Sequence, residues 1–408
     1  MRSQGPTPVS TQDSAGADPE SDDGSPSPRW VVRRRQLLRW YASSAAVSVP
    51  QAAAPVAFSL LAVSLIGEAS GGAAMMLSMT VAQVVAAIPV TRLGRKLPAS
   101  TFLRLLVAFR TLALGAIAFC AYHEAAFAWL IVLAAVAGSV GGAVHGHMRA
   151  LLNQFTPAGR LPRALGIAAT LNETTFVLAP VLASTLGSIS PTVALLAMTA
   201  IGAVPFMLLP RADTTPVKDV PLAKAAILSP AILLWLTCAA TGASTIAAIE
   251  IGAVALALKF GYPPALAILF TVPLCLASVA GGIWVSVRNR AASRKGVVTQ
   301  LSVMTLGSAL TSLGPSLVTT IVGAVLIGSM LAPLGTHYSL ALDKLAPPGR
   351  RPEVFALLRT AISVGAIFAS AALTAASLTT ALLVVTAAMA VITLAIGLSP
   401  VIRRSGGR

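Results

Sequence analysis

From Tyr41 onward the chain alternates long apolar runs with short polar breaks. The runs at 41–66, 71–91, 99–121, 126–148, 164–187, 190–210, 229–256, 264–287, 296–313, 317–340, 354–376 and 379–401 predict twelve segments. Most have the roughly 20 residues with which a helix crosses about 30 Å of hydrocarbon. Helices are required because lipid offers no partner for a free backbone amide or carbonyl. Prolines recur inside the runs, including Pro50, Pro55, Pro89, Pro180, Pro205, Pro273 and Pro333, and membrane helices tolerate them. The close spacing of Gly138, Gly141 and Gly142 predicts near approach of two helices.

Composition agrees. The chain is 56% hydrophobic and 10% charged, with a mean hydropathy of +0.83, against about 25% charged in a soluble domain. A cytosolic enzyme is thereby excluded. Residues 1–36 are rich in Ser, Pro, Gly and Asp and hold too little apolar surface to offset ordering, so a disordered tail is expected. No apolar stretch within the first 30 residues has the form of a cleavable signal peptide. Cys120, Cys238 and Cys275 fall inside apolar runs without CxxC spacing and read as small buried side chains.

The net charge of +16 would point to nucleic acid in a soluble protein. Its distribution points to a membrane instead. Of the 29 basic residues, Arg104, Arg110 and Arg359 lie within runs and Lys259 in a loop on the far side. The other 25 share the side of the N-terminus. This positive-inside bias predicts a multi-pass protein of the cell (inner) membrane with both termini cytoplasmic. The connection 211–228, the longest, divides the chain six and six. Basic connections recur after the second run of each half, at 91–98 and 287–296, as a duplicated bundle would show. The expected organisation is a tail at 1–36, a bundle at 37–210, a central loop at 211–228, a bundle at 229–402 and a tail at 403–408.

Ala87-Ile-Pro-Val-Thr91-Arg92-Leu-Gly94-Arg95-Lys96 resembles the Gly-x-x-x-Asp-Arg-x-Gly-Arg-Arg/Lys loop of the major facilitator superfamily. Arg92, Gly94, Arg95 and Lys96 match; Ala87 stands for the first Gly and Thr91 for the Asp. The resemblance covers about residues 37–402. It implies an all-α membrane fold of two six-helix bundles, with this loop in a charge network joining the halves. With Thr91 in place of Asp, that network would lack its carboxylate. A second stretch, Glu173-Thr-Thr-Phe176-Val-Leu-Ala179-Pro180-Val-Leu-Ala183, resembles the span-five Gly-Pro element of exporters in the superfamily. Pro180 matches and Ala179 replaces the Gly. Arg163-Ala-Leu-Gly166 and Leu345-Ala-Pro347-Pro-Gly349-Arg350-Arg351-Pro-Glu353 resemble actinobacterial efflux-type members.

Glu173 lies about ten residues, roughly 15 Å, into its span. A carboxylate there must face a cavity or a partner, which makes it a proton- or substrate-coupling candidate. Glu250 is the acid of span seven; the resemblance implies that this span lines the cavity. Arg110, inside span three, is expected to pair with Glu173 or to reach an interface. His337 is a cavity candidate. His145 and His147 are two residues apart, which turns them about 200° from each other on a helix and argues against a metal pair; no metal is expected. No GxxxxGK[ST], HExxH or GxSxG occurs, so neither ATP-driven transport nor a familiar hydrolase is indicated, and no cofactor is expected.

These readings converge on a secondary active transporter, not an enzyme: a proton-coupled antiporter for efflux of a small organic or amphipathic molecule by alternating access. Its partners are that small-molecule substrate, protons and the lipid bilayer, with no nucleic acid, and it is expected to be a monomer. The alternatives are nutrient uptake or facilitated diffusion and, in another class, a non-transporting membrane sensor or scaffold.

Overall fold

A computed structural model describes residues 28–68, 70–209, 228–290, 292–347 and 349–398. The expected tails at 1–27 and 403–408 and the central connection 211–227 lie outside them. Twelve helices long and apolar enough to cross a membrane follow in order: α1 Pro28–Ile66, α2 Ser70–Leu93, α3 Ala99–Tyr122, α4 Phe127–Phe155, α5 Leu161–Gly187, α6 Pro191–Leu208, α7 Pro230–Lys259, α8 Ile268–Arg288, α9 Arg294–Leu313, α10 Leu317–Leu345, α11 Arg351–Ala375 and α12 Leu378–Leu398.

Two expectations are corrected. Residues 28–36, assigned to the tail, are helical: Pro28 suits a first turn, the four Arg and the Gln that follow are good helix formers, and no Gly or second Pro interrupts them. The fourth span does not end near His147. It continues to Phe155 after a break at Val140, so Arg149 lies within a helix. Polarity marked the wrong end there, because these polar groups are turned toward the other half rather than toward water.

The same packing occurs twice. In the first half α1 packs on α5 and α6, α2 on α4, and α3 on α4 and α6. In the second half α7 packs on α11 and α12, α8 on α10, and α9 on α10 and α12. Contacts across the halves obey the same two-fold relation: α2–α11 answers α8–α5, and α4–α11 answers α10–α5. Polar groups reinforce the apolar packing within each half. Trp40 Nε1 donates to the Met148 carbonyl at 2.9 Å, and Ser308 bonds Thr386 at 2.7 Å.

The halves differ inside. One continuous core runs through the second, from Ile232 to Ile396. The first has two cores. One surrounds Phe58, Leu114 and Leu130; the other surrounds Trp40, Leu103 and Leu151 near the basic ends. Buried Ser48, Gln51 and Arg110 fall in chain order between the two.

Candidate functional site

The halves are joined on the basic side, and charge does much of the joining. Gly94–Lys96 forms a 3-10 turn after α2, folded so tightly that a Cβ at Gly94 would strike the Phe102 ring. It presents Arg92 and Arg95 to Glu353 in the first turn of α11. Arg92 Nε lies 3.4 Å from one Glu353 oxygen and Arg95 Nε 3.0 Å from the other, and Arg95 Nη2 bonds the same oxygen. The network expected to lack a carboxylate therefore has one, supplied from the other half. Thr91, at the family's Asp position, turns its hydroxyl back to the Ala87 carbonyl at 2.6 Å. Ala87, where the family has Gly, fits because Gly142 of α4 faces it. Lys96 ends the turn, which the Leu97 amide closes by donating to the Gly94 carbonyl at 3.1 Å.

Further polar bonds extend this seal. Arg149 donates to Ser339 of α10 at 2.8 Å and to Asn153 at 2.6 Å, and lies 4.6 Å from the centre of the Phe355 ring. Asn153 donates to Asp343 at 2.6 Å, which also holds Arg351 at 3.3 Å. Asn289 ends α8 with a left-handed φ of 44°, as an Asn cap can. Its side chain accepts from the Arg163 amide and donates to the Gly159 carbonyl, both in the other half. Nearer the midplane Gln83 Nε2 donates to Ser363 Oγ at 3.0 Å. Among the described residues no hydrogen bond or ion pair crosses between halves beyond that level.

Glycines let the backbones meet. Gly138, Gly142 and Gly146 recur every fourth residue on α4. The first two face Met79 and Ala87 of α2; the third faces Pro352 and Ala356 of α11. Gly166 of α5 lies against the backbone of Gly282 and Ser286 in α8. Such small-residue stripes give close helix contact in lipid, where dispersion replaces the hydrophobic drive.

Glu173 is half-buried on α5, beside Asn172 and beside Ser278 of α8. Glu250 of α7 is exposed in its own surface yet has protein on most sides. The two carboxylates interact electrostatically across the halves, and Cys275 of α8 is within reach of both. Neither belongs to an ion pair among the described residues.

Arg110 does not pair with Glu173. It is buried at 6% exposure and its Nη1 donates to the Val47 carbonyl of α1 at 3.0 Å. Pro180 lies within an unbroken α5. His337 packs edge-on against Trp235 and lines a cavity of about 650 Å³ between α8, α9 and α10, at the basic end of the second half and apart from both acids. His147 lines a second cavity, of about 540 Å³, beside the Glu353 seal. His145 and His147 each bond a carbonyl of their own helix at 2.9 Å, and no group of three metal-ligating side chains occurs among the described residues. The three cysteines are free. Sequence reasoning missed Glu353 as the partner of the loop, and it gave Arg359 no role. The available signal for Arg359 was an arginine in the middle of an apolar run.

Two pseudo-symmetric six-helix bundles joined at one end by charge, with two acids that have no ion-pair partner among the described residues, have the architecture of a membrane transporter. A family model described as Major Facilitator Superfamily matches residues 41–370, and the chain belongs to that superfamily. No curated protein matches it. Among solved structures, a bacterial homologue of the iron transporter ferroportin, outward-facing, is similar over 90% of this chain and 98% of its own, with 14% identity and a TM-score of 0.71. The human organic anion transporter MFSD10 is similar over 91% and 100%, at 14% identity and 0.67. The proton:xylose symporter XylE is similar over 90% and 96%, at 8% identity and 0.74. Likeness at these identities shows the fold; the cargoes named for the three differ.

Proposed function

We propose that this carrier is a proton-coupled exporter of a small organic molecule, acting as a monomer in the cell membrane with both termini in the cytoplasm. The observation that carries the reading is that Glu173 and Glu250, one from each half, are within electrostatic reach of each other, with no cation paired to either among the described residues. An unpaired carboxylate at membrane depth is costly when charged. Two within reach of each other repel when both are ionised, and a proton on either relieves that repulsion. Proton occupancy thereby biases how closely the halves approach, which links a gradient to the rocking motion. The basic side is cytoplasmic by the positive-inside rule, so the state described here is closed to the cytoplasm and parted toward the outside. Export is supported by the resemblance around Pro180.

The test is reconstitution with a cargo drawn from the susceptibility profile of a deletion strain. Glu173→Gln or Glu250→Gln should abolish accumulation driven by a pH gradient and leave downhill exchange and protein level largely intact. Full coupling in the double variant would move the reading to facilitated diffusion. Gradient-driven flux in the inward direction would move it to uptake, and absence of any flux to a sensor or scaffold.

A further inference from the structure

Arg110 and Arg359 form a second polar centre inside the spans, and no acid among the described residues answers it. Arg110 of α3 enters the first half at the level where its apolar core is split in two. One of its nitrogens serves the Val47 carbonyl, while its buried Nε has no partner. Arg359 comes from the other half, on α11. Its Nε is likewise buried without a partner, as is the hydroxyl of the adjoining Thr360. The two guanidiniums are within electrostatic reach of each other, and His145 of α4 is within reach of both. His145 Nδ1 is occupied by the Gly141 carbonyl, which leaves Nε2 as its free ring nitrogen. Packing sets the Arg359 stretch of α11 against α4 and α2. Ala356, one turn before Arg359, rests on Gly146; Ser363, one turn after it, holds Gln83.

The acids of the described residues are engaged elsewhere. Glu353 and Asp343 belong to the seal. Glu173 and Glu250 lie within electrostatic reach of each other. Glu68 bonds Ser70, and Glu124 lies in the turn after α3, both on the side away from the seal. None of them acts on Arg110 or Arg359. A guanidinium keeps its proton in proteins. Arg110 is buried and Arg359 half-buried; a charge so placed at membrane depth without a counter-charge is unfavourable, and a second of like sign adds to the cost. The arrangement is stable once a ligand brings the negative charge, and guanidinium forks suit the oxygens of a carboxylate, sulfonate or phosphate.

We propose that Arg110, Arg359 and His145 bind the anionic group of the cargo, so that the transported molecule is an organic anion held between the two halves. This rests on the reading of the chain as an alternating-access carrier and names the class of molecule carried. An anion bridging Arg110 and Arg359 draws the halves together on the α3–α4–α11 side, away from the acids on α5 and α7.

The test follows the melting temperature of the full-length protein in detergent at constant ionic strength. The probes are naphthalene-2-sulfonate, 2-naphthoate and the neutral 2-naphthamide. Both anions should raise Tm by several degrees at millimolar concentration, and the amide should leave it unchanged. Arg359→Gln removes a charge that has no protein partner, so it should raise the Tm of the ligand-free protein and abolish the anion shift. Arg359→Lys keeps the charge and should retain part of the shift. Equal stabilisation by the amide, an anion shift that survives Arg359→Gln, or no shift with either anion overturns the proposal. Because the readout needs no gradient, the two readings fail separately. Proton-coupled transport without an anion shift sinks the anion site alone, and an anion shift with wild-type coupling in Glu173→Gln/Glu250→Gln sinks the coupling alone.

Discussion

The seal on the basic side and the polar groups at the midplane use the same residue types in opposite ways. In the seal every carboxylate has its cation. Glu353, with its side chain 3% exposed, takes Arg92 and Arg95, and Asp343 takes Arg351. At the midplane the charges are sorted by sign instead. Two acids, on α5 and α7, lie within electrostatic reach of each other, and so do two arginines, on α3 and α11. Paired charges hold a conformation and are indifferent to what is bound. Charges segregated at membrane depth are high in energy until a proton or an ion arrives, and their cost makes the conformation respond to ligands. On the proposed reading, the seal sets which state is populated and the segregated charges set what changes it.

Three substitutions in the interface probe that division, each read as a distance distribution between spin labels at Ala158 and Arg290 across the seal. Glu353→Ala has the largest expected effect. It strands two arginines, and removing one partner of a buried pair costs about 3–5 kcal/mol. Both arginines are partly exposed, at 52% and 32%, and regain water, so about 3 kcal/mol is expected, enough to shift the population toward the longer distance more than a hundredfold. An unchanged distribution would show that the glycine contacts alone hold the seal.

Gly166→Val should come next. A Cβ there meets the Ser286 amide nitrogen at 2.7 Å and the Gly282 carbonyl oxygen at 2.9 Å, both backbone, so the α5–α8 contact must widen. Overpacking of this kind costs about 2 kcal/mol and falls on the sealed state alone. A distribution as tight as wild type would mean that α5 can slide past α8 without opening. Ser363→Ala is the smallest. It deprives the buried Gln83 amide of one acceptor, worth about 1 kcal/mol. The long-distance fraction should rise severalfold at most, and a shift as large as that of Glu353→Ala would place the seal's main strength at the midplane.

The spans, the six-and-six division and the membrane class were legible along the chain because each depends on local hydropathy over some 20 residues. Glu173 and Glu250 were legible for a related reason: a carboxylate inside an apolar run is conspicuous without knowing its neighbours. Arg110 was equally conspicuous, but its expected partner was wrong, since Val47 and Arg359 rather than Glu173 lie near it. The vacancy at Thr91 misled for the same reason. The carboxylate that Arg95 uses is 258 residues away, and no local pattern announces it.

The sequence by itself determined that this is a membrane protein, the number of its spanning helices and the costly residues they carry. Those properties follow from transfer of each segment into hydrocarbon, a sum over nearby residues. Only the tertiary structure decided which charge meets which. Glu353 rather than position 91 completes the seal, the two acids come within electrostatic reach of each other, and Arg359 comes within reach of Arg110. Coulomb energies at membrane depth depend on separations of a few ångströms between residues on different helices, and those separations are set by where glycines such as Gly146 and Gly166 let the bundles touch.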